Sequence, residues 1–239
     1  MPGGNTFAFK HFKIVQDKCA MKVGTDAVLL GAWASCTNYS SNILDIGTGT
    51  GVIALMMAQK YPKAIVDAID IDRNAYIQAC ENVKDSPWKD NITIYESSLQ
   101  EFNVQKKYNI IISNPPYFIN SSKTPHESRT AARHNDLLPF EELVNGVVKL
   151  LDKKGCFFLI LPQKEGEYFI AIAESQQLFL NKLTKVKTKI NMPNSKRLLM
   201  QFGFEKVIYI EDELVIESED RHQYSVEYKN LTKDFYLNF

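Results

Sequence analysis

Asn114-Pro115-Pro116-Tyr117 is the stretch whose residue types most restrict the chemistry this chain can do. An amino group attached to a conjugated ring is a poor nucleophile, because its lone pair is delocalised into the ring. Activating it requires acceptors that bind both protons and let the nitrogen pyramidalise. The side-chain oxygen of Asn114 and the carbonyl of Pro115 are two such acceptors on one short turn. The paired prolines fix that turn so that both acceptors aim at one point. Tyr117, with Phe118 beside it, supplies a ring on which an extruded base can stack. Taken alone, the same four residues also make an ordinary strand-terminating turn.

A second constellation decides between these readings. Asp45-Ile46-Gly47-Thr48-Gly49-Thr50-Gly51 follows an apolar run and opens a helical pattern, the position at which open α/β sheets bind ligands. The spacing is G-x-G-x-G, with Gly47, Gly49 and Gly51, and not the G-x-G-x-x-G of dinucleotide sites. Asp45 repels a pyrophosphate but suits the cationic amino group of a methionine moiety, directly or through water, so a nicotinamide oxidoreductase is disfavoured. The next apolar run ends in Asp70-Ile71-Asp72. Asp70 directly follows the run and is placed to accept both hydrogen bonds of a ribose diol; Asp72, one residue before a helical segment, is read as its cap. Together these features predict a nucleoside sulfonium cofactor, S-adenosylmethionine. Transfer from a sulfonium relieves charge and needs no strong base, since proximity and in-line alignment carry much of the rate.

The elements that must position these residues are legible as alternating short apolar and longer amphipathic runs, the pattern of an α/β fold with a mostly parallel sheet and crossover helices. Strands are expected at 43–46, 65–69, 92–95, 108–113 and 156–161, with helices at 52–60, 73–84 and 139–151. Two further strands complete seven, one carrying Lys185, Lys187 and Lys189 on one face and one at 198–206. Residues 117–138 are polar and aperiodic, which suggests either disorder or a functional lid, and the lid is the reading favoured beside the N-P-P-Y turn.

Composition narrows the setting. With 239 residues and 45% apolar content the chain can bury one sizeable core, and a single methyltransferase domain over 1–239 is expected: an N-terminal segment 1–41, a catalytic core 42–206 and a C-terminal extension 207–239. The 28 basic and 28 acidic side chains cancel, so a nucleic acid would have to be held by local clusters. Candidates are Lys123, His126, Arg129, Arg133 and His134 in the lid, and Lys185, Lys187, Lys189, Lys196 and Arg197 late in the chain. For any single lysine among them, solvated surface charge is the simpler reading. No signal-peptide or membrane-spanning run is present, which predicts a cytoplasmic protein. Cys19, Cys36, Cys80 and Cys156 are far apart and, with the four histidines, form no metal-ligand spacing; no metal is expected, and the cysteines read as buried reduced thiols.

Beyond these motifs the sequence resembles the class I methyltransferases with an N-P-P-Y turn, and specifically the bacterial transfer-RNA(Val) adenine-N6 methyltransferases, which modify the adenosine 3' of the anticodon. Phe7 to Phe12 and Gln16 to Asp26 look like that family's leader, and Tyr224 to Tyr228, Leu231 to Lys233 and Phe235 to Leu237 resemble its ending. The resemblance therefore spans essentially the whole chain. It implies a Rossmann-like seven-stranded sheet with helices on both faces, a transfer-RNA substrate, and no obligate protein partner. It also implies that the leader packs over the cofactor cleft, with Val23 and Thr25 lining it. At one position the sequence departs from the pattern: Ser98 stands where relatives often carry an aspartate that contacts the adenine amino group. The N-P-P-Y turn does not itself choose among adenine in RNA or DNA, guanine N2 and a protein glutamine amide; only the terminal segments favour transfer RNA. A catalytically idle subunit on the same fold would be expected to have lost the complete turn at 114–117.

Overall fold

A computed structural model describes residues 5–19, 21–36, 42–116, 138–220 and 223–239. The expected lid, with Tyr117, Arg129 and Arg133, lies outside them. The leader forms a small antiparallel pair, β1 (Thr6–Ala8) and β2 (Lys13–Val15), followed by α1 (Thr25–Trp33). The α/β succession then runs β3 (Asn42–Ile46), α2 (Val52–Lys60), β4 (Ile65–Asp70), α3 (Arg73–Lys84), β5 (Ile92–Glu96) and β6 (Tyr108–Ser113). Beyond residue 138 come α4 (Phe140–Leu150), β7 (Leu151–Pro162), α5 (Gln163–Ser175), β8 (Phe179–Lys189), β9 (Arg197–Gly203), β10 (Ile210–Glu217) and α6 (Val226–Thr232).

The main sheet has eight strands, ordered β10-β8-β9-β7-β6-β3-β4-β5, and only β9 runs against its neighbours. The expectation of seven is thus corrected by one. β10, rich in exposed acids, pairs parallel with β8 so that Glu211 and Glu213 meet Lys185 and Lys187 at 2.5 and 2.8 Å. What reads in the sequence as a cationic strand face is one half of a charge ladder. Read alone, β10 lacks the apolar alternation that marks a strand, because its stabilising partner is 28 residues upstream in the register of the pair.

Period-two alternation sorts the side chains onto two cores. Ile43, Ile110, Ile112, Phe158 and Ile160 face the layer containing the leader, α1 and α2, whereas Leu44, Ile111, Phe157, Leu159 and Leu161 face α4 and α5. Helix α1 was not anticipated, since Ala27 to Ala32 are all buried and leave no amphipathic period to read. Its last turn is capped by Lys60, whose ammonium donates to the carbonyls of Gly31, Ala32 and Ala34, and burial lowers the Lys60 pKa to about 8. All four cysteines are free thiols and half-buried.

Candidate active site

Because β3 pairs directly with both β4 and β6, the carboxyl ends of these three strands lie side by side where strand order reverses, the crevice-forming switch point of open α/β sheets. Ile46 and Ser113 are register partners, and the Ser113 hydroxyl donates to the Ile46 carbonyl at 2.9 Å. One residue beyond each begins the functional chemistry: Gly47 on one strand, Asn114 on the other. The glycine loop and the N-P-P turn therefore open at the same level and from neighbouring strands. Pro115 is buried and Asn114 half-buried, so the turn is held by the body of the protein with its amide near the surface.

The loop has the geometry its glycines predict. Gly47, Gly49 and Gly51 take φ of 71°, 57° and 81°, left-handed values that side chains with a Cβ adopt at a cost. Gly51 also caps α2, and a Cβ there would lie 3.4 Å from Ala79 of α3. A Cβ on Gly47 or Gly49 would instead meet nothing within 4 Å, so the loop faces open space on its outer side.

Asp70, at the tip of β4, accepts from the Gly49 amide at 2.8 Å and from the Asp72 amide at 2.9 Å. These bonds fix one carboxylate against the loop before any ligand arrives. Burial raises its pKa. Asp72 caps α3 through the Asn74 amide at 2.8 Å, as its position predicted. Ile71, 52% exposed between the two acids, offers an apolar face beside Asp70. Nothing in the motif spacing singled out Ile71; an apolar residue flanked by acids at a strand tip was the available signal.

Asp45 lies deeper than the sequence reading placed it. It is fully buried, and one oxygen ties the loop to the first turn of α2, accepting from Thr48 Oγ1 at 2.6 Å and from the Ala54 amide at 3.1 Å. Burial pushes its pKa up to about 7. Its other oxygen is buried with no hydrogen-bond partner among the described residues. A buried, underbonded acid beneath an open glycine loop, next to a second prepositioned carboxylate, fits a ligand that carries a cationic amino group and a ribose.

The leader is stitched over this region by two side chains of α3 that the sequence reading passed over. Asn82 accepts from the Val15 amide and donates to the carbonyls of Val15 and Thr50, all at 2.8 to 2.9 Å. Gln78 accepts from the amides of Asp17 and Lys18 at 3.1 and 3.0 Å. Polar residues four apart on the buried face of a helix were the signal that could have found them. Cys19 is brought close enough to Asp70 and Asp72 that, after burial, their charges help raise its pKa to about 11. Val23 is half-buried and its amide donates to Gln16 at 2.9 Å. Thr25 is exposed and lines a separate cavity on the α1 side, discussed below. The Ser98 hydroxyl donates to Glu101 at 3.0 Å and caps the turn after β5. Arg197 is held by Asp26 at 2.7 Å, and the Lys189 ammonium donates to the Glu219 carbonyl at 3.5 Å. Among the described residues no group of acids, histidines or cysteines could hold a metal ion, and no helix is long and apolar enough to cross a membrane.

Known proteins resemble this chain in sequence and in fold. Residues 23–181 match the methyltransferase small domain. The chain is 47% identical over 235 residues to the tRNA1(Val) (adenine(37)-N6)-methyltransferase of Christiangramia forsetii, covering 97% of each. It is 44% identical over 241 residues to the protein of the same name from Trichodesmium erythraeum, covering 99% of this chain and 100% of that one. Among solved structures, a protein described as a predicted O-methyltransferase from Agrobacterium tumefaciens superposes with a TM-score of 0.70 at 16% identity, over 88% of this chain and 96% of the other. The glycopeptide N-methyltransferase MtfA in complex with S-adenosylmethionine gives 0.56 at 11% identity, over 77% and 100%. At these identities the two structures speak for the fold.

Proposed function

The chain belongs to the methyltransferase small domain family, among the tRNA1(Val) (adenine(37)-N6)-methyltransferases, and from that membership we propose that it methylates adenine N6 in the anticodon loop of tRNA(Val). The observation that carries this reading is the register pairing of Ile46 with Ser113, which sets the glycine loop and the N-P-P turn side by side. S-adenosylmethionine supplies, when bound, an electrophilic methyl group on a sulfonium.

The chain's residues do the rest. Asp70 receives the ribose diol, and Ile71 packs against the nucleobase, with Ser98 at its edge. Asp45 balances the amino group from beneath the loop, while Gly47, Gly49 and Gly51 let the backbone approach closely. Val23 covers the cleft from the leader; Thr25, which the family resemblance also placed there, faces the separate cavity on the α1 side instead. On the acceptor side, Asn114 Oδ1 and the Pro115 carbonyl take the two amino protons of the flipped adenine, Pro116 fixes the turn and Tyr117 stacks on the ring. As the nitrogen forms its new bond to carbon it becomes cationic, and both acceptors stabilise that charge more strongly than the neutral amine before one proton leaves to solvent. Arg197 and Lys189, on the same end of the sheet, hold phosphates together with Arg129 and Arg133, while Lys187 is taken up by Glu213. We read 1–239 as one cytoplasmic methyltransferase domain, with 1–41 covering the cleft, 42–206 the catalytic core and 207–239 an extension.

Incubating the protein with methyl-labelled S-adenosylmethionine and unmodified tRNA1(Val), then digesting to nucleosides, is expected to yield labelled N6-methyladenosine. Label in a guanine, in a protein amide or nowhere overturns the assignment.

A further inference from the structure

Outside the catalytic crevice, the described residues enclose a cavity of about 650 Å³ between β1, α1, the ends of β8 and β10, and the chain after 224. The volume is in the range of small-ligand pockets. Its apolar walls include Phe7, Tyr224, Tyr228, Tyr236 and Phe239, with Tyr224 stacked on Tyr228 at 5.3 Å between centroids. Its charged lining consists of Lys196, Arg197, Asp26 and Glu217, the Arg197 Nε donating to Asp26 at 2.7 Å.

Two facts about its placement say what it is for. First, it opens at the same end of the sheet as the catalytic turn. Arg197 is the register partner of Pro162 on β7, three residues beyond Leu159, which pairs with Ser113. Two strand spacings across and three residues along put Arg197 roughly 14 Å from Ser113. Second, most of the wall comes from segments outside the 23–181 match to the methyltransferase small domain; only Thr25, Asp26 and Leu29 fall inside it. The relatives that share a substrate name match over 97% of the chain and so include these segments. Segments outside that match, β1 and the chain from 186 onward, thus converge on one aromatic cavity beside the crevice, with Lys196 and Arg197 in its lining.

We infer that this cavity is a second nucleotide site, which takes the base of a residue within two positions of the target adenosine and seats its phosphate on Lys196 and Arg197. The inference rests on the RNA reading above. Aromatic rings accept the face of any base. Exposed Lys196 and the Asp26-oriented guanidinium stand at the side from which a backbone leaving the catalytic turn would arrive. Glu217 on the wall disfavours a phosphate there and leaves the anion to the cationic residues. The site would thereby act in substrate choice, since the N-P-P turn sees only the reacting amine.

Thr188→Trp, on the cavity lining at the end of β8, fills the space, and Lys196→Glu reverses an exposed rim charge without touching the core. Each is expected to raise KM for tRNA1(Val) at least tenfold, with kcat within about twofold and S-adenosylmethionine affinity unchanged by calorimetry. Anticodon stem-loops with one abasic position at each of the two nucleotides on either side of the target supply the discriminating measurement. One of the four should raise KM for the wild type to a similar degree and cost Thr188→Trp nothing more. Wild-type KM in Lys196→Glu, or abasic effects that add fully to Thr188→Trp, overturn the inference, provided the wild type methylates the RNA. Absence of wild-type methylation would instead refute the RNA reading beneath it.

Discussion

The two halves of the sheet are built on different plans. On one side, β3 and β4 end in turns whose acids bond mainly to near neighbours in sequence, Asp45 to Thr48 and Ala54 and Asp70 to Asp72, with Asp70 to Gly49 and Ser113 to Ile46 as longer reaches between adjacent strands. On the other side, β8, β9 and β10 are completed by the leader and by the last thirty-odd residues, through contacts such as Asp26 to Arg197 across 171 positions. The first half handles a cofactor common to many enzymes, and local motifs suffice. The second half handles what distinguishes one acceptor from another, and its surface is assembled from distant pieces.

That contrast can be broken or sharpened by substitution. Asn114→Ala should have the largest effect, lowering transfer about 10²- to 10³-fold because it removes an acceptor used mainly in the transition state. Single-turnover rates beside cofactor calorimetry check it, and equal loss of cofactor binding would show that the turn does not act separately from the loop. Asp70→Ala should weaken S-adenosylmethionine by about 2 kcal/mol, since the ribose contact and the brace on Gly49 go together. Methyl transfer at saturating cofactor should recover most of its rate.

Asn82→Ala probes the seam between the halves. It strips partners from Val15 and Thr50 and should cost about 1–3 kcal/mol of stability, measured by urea unfolding, with a mild loss of cofactor affinity. Asp45 predicts a pH effect. With its pKa held up near 7 the carboxyl takes up a proton as pH falls from 8 to 6, and cofactor affinity should drop by up to about tenfold. Asp45→Asn should flatten that profile. The raised value also means that the native state holds this proton where the unfolded chain has released it, so Asp45 makes stability fall as pH rises from its usual 3.8 towards 7. The smallest effect belongs to Lys185→Ala, whose ion pair with Glu211 is exposed on both sides and should contribute below 1 kcal/mol, with transfer unchanged.

How far the sequence could be read follows from the same division. Strand ends, the glycine turn, the cap at Asp72 and the N-P-P turn are properties of short segments, and each stands where its spacing puts it. Asp45 sits beneath the glycine loop and braces it, a job the motif does not report, because a motif gives proximity and burial depends on what packs below. Helix α1 has no polar face to give it a period, and β10 is a strand through its backbone pairing with β8, whose lysines meet its acids. Gln78 and Asn82 are polar residues on a helix, and what they hold becomes visible only with the leader laid over them.

Lys10 donates from its ammonium to the backbone carbonyls of Lys233 and Phe239, across 223 and 229 positions. A chain emerging from the ribosome can therefore assemble the inner strands and lay β2 against α3 early, whereas Lys10 finds its two carbonyls only once residues 233 and 239 have been made. The order of synthesis makes the capacity to hold a methyl donor older, in each molecule's life, than the capacity to choose whom to give it to.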